Sequence, residues 1–285
     1  MQYFTLPHIN PAIFQIDPFT IGSFVIGPLA IRWYALSYIV GLLGGWWYAR
    51  RLVGNPGLWT VTPGTKLQID DLLIWATFGV IIGGRLGMFL YSPDEYLNDP
   101  LEILKVWHGG MAFHGGLVGA AVAVMLFAWL NKIPVLSYLD VVSAVAPIGL
   151  FFGRIANLIN DELWGRPAWD SAWGVISPTS PFSVFPQGPT PRYPSQLFEA
   201  ALEGLALFII LFIMTRMGGL KRPGLVAGTF GLGYAAARSF CELYREPDGW
   251  AIDGVLTIGQ AYSLPMAVIG LGLIIHALLR KPQPA

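Results

Sequence analysis

The chain has 285 residues, 54% of them hydrophobic and only 12% charged, with a mean hydropathy of +0.57. Soluble domains carry about 25% charged residues, so this composition excludes an ordinary soluble protein, a disordered chain and a secreted disulfide scaffold, and points to an all-α polytopic membrane protein. A formal net charge of +0 gives no reason to expect nucleic acid as a partner, and the single cysteine, Cys241, permits neither an internal disulfide nor a cysteine-cluster metal site.

Residues 1–30 contain Pro7, Pro11, Pro18 and Pro28 among apolar residues, and the first basic residue is Arg32. Proline breaks the helical ladder, and a secretory signal opens with a basic stretch. The segment therefore reads as an interfacial arm with short turns, not as a regular helix or a cleavable signal. Beyond it, seven segments approach the roughly 20 apolar residues that a membrane span needs: 31–48, 72–91, 111–130, 138–158, 196–214, 225–244 and 258–279. Pro134 and Pro147 interrupt the region of the third and fourth. The pairs Gly41/Gly45, Gly79/Gly83, Gly115/Gly119 and Gly149/Gly153 have the spacing that lets helices approach closely in lipid.

Basic residues follow the odd-numbered spans: Arg50, Arg51 and Lys66, then Lys132, then Arg216, Lys221 and Arg222, then Arg280 and Lys281. Asp94, Glu95, Asp99 and Glu102 follow span two. The basic side is expected to be cytoplasmic, which puts the C-terminus inside and, with seven transmembrane helices, the N-terminus outside. The organisation expected is then an arm at 1–30, spans one to four at 31–158, a proline-rich extracytoplasmic head at 159–195, and spans five to seven at 196–281.

On this topology several polar residues converge on one membrane face: Arg85, His114, Arg154 with Asn157 and Asn160, Ser195 with Gln196 and Glu199, and Arg238 with Glu242. Ionisable residues inside a membrane are costly and need partners. Tyr234, Arg238, Glu242 and Arg245 form one stripe of a helix. The plain alternative is a structural Arg238–Glu242 pair with Arg245 snorkelling to water. His114 lies among four glycines and reads either as a packed histidine or as a base. Tyr34 fits an interfacial aromatic belt as well as a binding role. A transporter with a polar site near the outer face is the competing class, although a transport path needs polar residues at several depths. An intramembrane serine protease is a further alternative, but the sequence has no serine in a Gly-x-Ser-Gly pattern.

The run Gly153-Arg154-Ile155-Ala156-Asn157-Leu158-Ile159-Asn160-Asp161-Glu162-Leu163-Trp164-Gly165-Arg166 resembles the sequence mark of bacterial prolipoprotein diacylglyceryl transferases. Arg32-Trp33-Tyr34, the block from His108 to Gly116, Arg192 to Glu199, and Arg238 through Glu242 to Asp248 agree in order, with departures at Leu158, Asp161 and Tyr193. The resemblance implies a seven-helix body in the bacterial cytoplasmic (inner) membrane, with its active site toward the periplasm. It implies transfer of the sn-1,2-diacylglyceryl group of phosphatidylglycerol to the lipobox cysteine of a prolipoprotein signal peptide, releasing glycerol phosphate without a metal or organic cofactor. The partners expected are phosphatidylglycerol, prolipoproteins and membrane lipids. The residues expected to carry the reaction are His114, Arg154, Arg238 and Glu242. Tyr34, Asn157, Asn160, Glu162, Gly165 and Tyr234 are expected to join the two arginines in binding the lipid. Chemically, arginines suit a phosphate, Glu242 would orient Arg238 or stop both arginines from repelling each other, and either His114 or the arginine field would activate the thiol.

Overall fold

The computed structural model describes residues 3–21, 24–26, 29–91, 93–104, 112–177, 190–247 and 249–280. A helix occupies most of each of the seven apolar segments. These are α1 (Trp33–Val53), α2 (Lys66–Tyr91), α4 (Phe113–Leu130), α5 (Val135–Ile159), the continuous run of α6 (Ser195–Glu199), a π-helical stretch (Ala200–Ala206) and α7 (Leu207–Arg216), then α8 (Leu225–Cys241) and α9 (Ile258–Leu279). A short α3 (Pro93–Asn98) follows α2. Among the described residues four of the runs are long and apolar enough to cross a membrane: Lys66–Phe89, Val135–Ile159, Ser195–Arg216 and Ile258–Leu279. Apolar side chains such as Ile74, Phe78, Val118, Ile209 and Val268 point outward from these helices, as a lipid-facing surface requires.

The expected interruption between spans three and four falls only at Pro134, which caps the start of α5. Pro147 sits inside α5 without ending it, because neighbouring helices can satisfy a freed carbonyl in a membrane bundle. The arm is not wholly irregular. It folds into hairpins, β2 (Ala12–Ile16) with β5 (Leu29–Arg32) and β3 (Phe19–Ile21) with β4 (Phe24–Ile26), while β1 (Phe4–Thr5) runs parallel to β6 (Val175–Ile176). Another small hairpin, β7 (Trp250–Ile252) with β8 (Leu256–Thr257), precedes α9. A Thr257/Gln260 capping box starts that helix. The all-α reading therefore holds for the body and not for its edges.

The helices pair through glycine. A Cβ added to Gly79 would lie 2.5 Å from the Gly119 carbonyl, and one at Gly41 would lie 3.0 Å from the Gly149 Cα. Gly228 and Gly270 make the same kind of approach between α8 and α9. The strongest helix pairings are accordingly α2 with α4, α8 with α9 and α1 with α5. At one end of the bundle Asp140, fully buried on α5, accepts from Gly224 N at 2.7 Å and Ala227 N at 2.8 Å. That carboxylate satisfies the orphan donors at the start of α8. It fixes the depth of the helix that carries Tyr234 and Arg238 at its other end.

Candidate functional site

The C-terminal ends of α5 and α8 meet the start of the α6–α7 run. The π-helical stretch, Ala200–Ala206, begins directly after Glu199 and contains Glu203. Both carboxylates are fully buried and turned toward the same arginines. Glu199 is the hub. Its Oε2 lies 3.1 Å from Arg154 Nε, and its Oε1 accepts from Arg238 Nη1 at 2.5 Å and Arg245 Nη1 at 3.2 Å. Glu203 Oε2 accepts from Arg154 Nη2 at 3.1 Å. Glu242 Oε1 lies 2.5 Å from Arg238 Nη2, one helical turn along. Among the described residues the cluster thus sets three guanidiniums among three carboxylates. Tyr234, 6% exposed, lies next to this cluster and stacks on Phe230.

This arrangement corrects two expectations. The bridge between Arg154 and Arg238 is Glu199, whereas Glu242 touches only Arg238 of the two. Arg245 does not snorkel to water. It is 4% exposed and bound to Glu199, because the chain turns back after α8 and pairs Arg245 with Gly165 in a backbone bridge. Glu203 was not singled out from the sequence. Its signals were the four-residue spacing from Glu199 and the need of any intramembrane acid for a cation.

The turn after α5 forms the rim of the site. Asn160 caps the helix, and Asp161 (φ 59°) and Leu163 (φ 60°) take left-handed conformations that reverse the chain. Asn157 Nδ2 donates to Glu162 Oε1 at 2.7 Å, and Trp164 Nε1 donates to Asp161 Oδ1 at 2.7 Å. Gln196 Nε2 binds the Glu162 carbonyl at 2.6 Å, and Ser195 Oγ the Leu163 carbonyl at 2.8 Å. Tyr34, at the start of α1, reaches Asn157 and hydrogen-bonds Tyr38 at 3.1 Å. Gly165 is walled in: its N–H donates to Tyr193 O at 2.9 Å, and its carbonyl accepts from Arg192 Nη1 at 2.8 Å. A Cβ there would sit 2.5 Å from the carbonyl oxygens of Tyr193 and Tyr244. Only glycine fits.

Arg154, Asn157, Glu162, Tyr34, Tyr234, Arg238 and Glu242 are therefore brought together, with Asn160 and Gly165 in the turn that closes the rim. Arg85 is anchored instead on the segment after α3, donating Nε to the Ile103 carbonyl at 3.0 Å and lying 5.5 Å from the Tyr96 ring centroid. His114 lies in the first turn of α4, next to Gly115, which abuts Gly83 and Gly87. The imidazole itself lies outside the described residues, as does the backbone of His108.

Helices with apolar outward faces and a buried cluster of guanidiniums and carboxylates at one end define a membrane protein with a charged site near one end of its bundle. The chain belongs to the prolipoprotein diacylglyceryl transferase family, whose model matches residues 22–276. It is 51% identical to the phosphatidylglycerol–prolipoprotein diacylglyceryl transferase of Methylocella silvestris over 276 residues, 95% of this chain and 97% of that one. It is 52% identical to the protein of the same name from Sinorhizobium medicae over 270 residues, 92% of each chain. A third of that name, from Beijerinckia indica, is 52% identical over 278 residues, 95% of this chain and 97% of its own.

Proposed function

We propose that this chain transfers the sn-1,2-diacylglyceryl group of phosphatidylglycerol to the lipobox cysteine thiol of prolipoproteins. The observation that carries the reading is the arginine pair held on Glu199 beside the Asn157–Glu162–Tyr34 rim, in a chain about half identical to transferases of that name. In the reaction the thiol sulfur forms a bond to the terminal glyceryl carbon and the carbon–oxygen bond to phosphate breaks. The thiol proton passes to a base, and glycerol phosphate leaves. Negative charge moves from sulfur to the phosphate, which changes from a singly charged diester to a monoester of about −1.5 to −2. Fixed cations at the phosphate therefore stabilise the transition state more than the bound lipid.

Arg154 is the better placed of the two to receive that charge. Its side chain is 15% exposed against 9% for Arg238, and its Nη1 carries neither of its carboxylate contacts. Arg238 is fastened by Glu199 and Glu242 and acts as the fixed half of the clamp. Asn157, Asn160 and Glu162 face the glycerol hydroxyls, Tyr34 and Tyr234 position the lipid, and Gly165 acts by letting the rim pack closely. His114 takes the thiol proton. The lipid enters laterally, the prolipoprotein is held by its own signal peptide, and no metal or organic cofactor is called for. The seven helices span the bacterial cytoplasmic (inner) membrane with the N-terminus and the 159–195 head outside, the C-terminus inside and the cluster toward the periplasm. Membrane helix ends rich in Arg and Lys favour this orientation.

The test is reconstitution of the purified chain with phosphatidylglycerol and a lipobox peptide. The expected result is a thioether adduct on the peptide cysteine with stoichiometric glycerol phosphate release, and none with a Cys→Ser peptide. Absence of adduct with phosphatidylglycerol from folded protein overturns the reading.

A further inference from the structure

The end of the bundle opposite the arginine–glutamate cluster has a second feature that the transfer reaction does not use. Here α1 and α7 diverge around a crevice of about 390 Å³, walled by Trp47, Leu52, Ile148, Phe208 and Phe212. Gly44 opens its wall, since a Cβ there would meet only Ile148 Cγ2, at 3.4 Å. The crevice continues into a hollow of about 430 Å³, the two sharing Leu58 and Arg216, and the hollow is lined by Thr60, Lys221 and Arg222. Such volumes lie in the range of small-molecule sites, roughly 300–1,000 Å³.

The mouth is basic. Arg51 lies 4.5 Å from the Trp47 ring centroid and Arg216 lies 5.0 Å from that of Phe212. Both guanidiniums thus lie over aromatic walls of the crevice that they line. The neighbouring Arg50 is neutralised by Asp70. Among the described residues Arg51, Arg216, Lys221 and Arg222 have no carboxylate partner. An apolar slot that ends in four uncompensated cations at a membrane surface has the chemistry of one occupant, a lipid with a phosphate headgroup. Free phosphate would leave the aromatic slot unfilled, and a zwitterionic lipid would bring its own cation to the mouth.

We propose that the crevice between α1 and α7 binds an anionic glycerophospholipid from the leaflet opposite the reaction site. An acyl chain lies along Gly44, Trp47, Phe208 and Phe212, and the phosphate sits between Arg51 and Arg216. This lipid is not the one that reacts, since its phosphate lies at the far end of the helices that carry Arg154 and Glu199. The proposal stands or falls apart from the transferase reading, because its test reads binding and not transfer.

The full chain is placed in phosphatidylcholine nanodiscs doped with phosphatidylglycerol whose acyl chains are brominated. Quenching of Trp47 is taken as the difference between wild type and Trp47→Phe, which isolates this crevice from lipid at the reaction site. Wild type should be half-quenched at a low mole fraction of the anionic lipid. In the Arg51→Gln/Arg216→Gln protein that midpoint should rise about 30-fold, the factor expected for two basic side chains near a membrane surface. Gly44→Leu, which leaves every cation in place, should abolish the selective quenching by filling the slot. Equal quenching by brominated phosphatidylcholine overturns the proposal, and so does an unchanged midpoint in the double variant. Displacement of the lipid by millimolar glycerol phosphate overturns it as well, since that outcome describes an anion site without a lipid.

Discussion

Replacing Glu199 by Gln keeps the shape of the side chain and removes the one carboxylate that touches all three arginines, at 3.1, 2.5 and 3.2 Å. Arg238 retains Glu242 and Arg154 retains Glu203, but three guanidiniums then share two carboxylates in a cluster where Glu199 is 0% exposed. One uncompensated buried charge costs about 3–5 kcal/mol. Cys241 supplies the assay: it is the only cysteine in the chain, fully buried at the end of α8 beside the cluster. A maleimide reaches it only when that region opens, so the labelling rate follows the opening equilibrium when reclosing is fast. Glu199→Gln should raise that rate on the order of 10²- to several 10³-fold. Adding Arg245→Met restores two cations to two carboxylates and should bring the rate back to within about ten-fold of wild type, a coupling expected of residues in one network. Wild-type labelling in Glu199→Gln, or further acceleration on adding Arg245→Met, would refute the charge-balance account.

Arg154→Lys and Arg238→Lys should each lose about 100- to 1,000-fold in the rate of thioether formation, since a point charge cannot span two phosphate oxygens or two carboxylates; full activity in both variants removes the clamp. His114→Gln should lose about 10²–10⁴-fold at neutral pH, with the deficit shrinking toward pH 9.5 as a thiol of pKa near 8.5 ionises unaided. A pH-independent ratio between wild type and variant would assign His114 to the scaffold. Gly165→Ala should destabilise the rim by about 1–3 kcal/mol, because its methyl meets two backbone carbonyls at 2.5 Å; unchanged Cys241 labelling and transfer rates would contradict the packing. A reporter active only in the periplasm, fused after Ala285, should stay silent; a signal there would reverse the orientation.

The apolar segments were legible in the sequence because a lipid-facing helix must be apolar for its whole length, and each of the seven coincides with a helix. Pro147 misled the reading, since proline breaks helices in water but is tolerated where other helices surround it. The strands of residues 4–32 were not legible, because four prolines mask any alternation. Of the candidate site, Arg154, Asn157, Arg238 and Glu242 stood out as charged or polar residues at apolar helix ends. Glu203 did not, because it lies within the apolar run Ala200–Ala206 and its neutralisation comes from residues 49 and 35 positions away in sequence, Arg154 and Arg238. Arg245 looked exposed because it follows the end of a span, and nothing local reveals that Gly165 will fold back over it.

Glycine packing divides the bundle mechanically. Where Gly79 and Gly83 meet Gly115 and Gly119, and where Gly41 meets Gly149, backbone touches backbone with no flexible side chain between to give way. Each such couple behaves as a single stave of a barrel. The joints between staves are filled by longer side chains, such as the Phe208, Met214 and Met266 that border the core, and these can change rotamer. Any change of shape in the bundle is therefore taken up more readily at the joints than within the staves. A leucine set into a glycine contact would pry a stave in two, whereas the same leucine in a joint would only narrow a door.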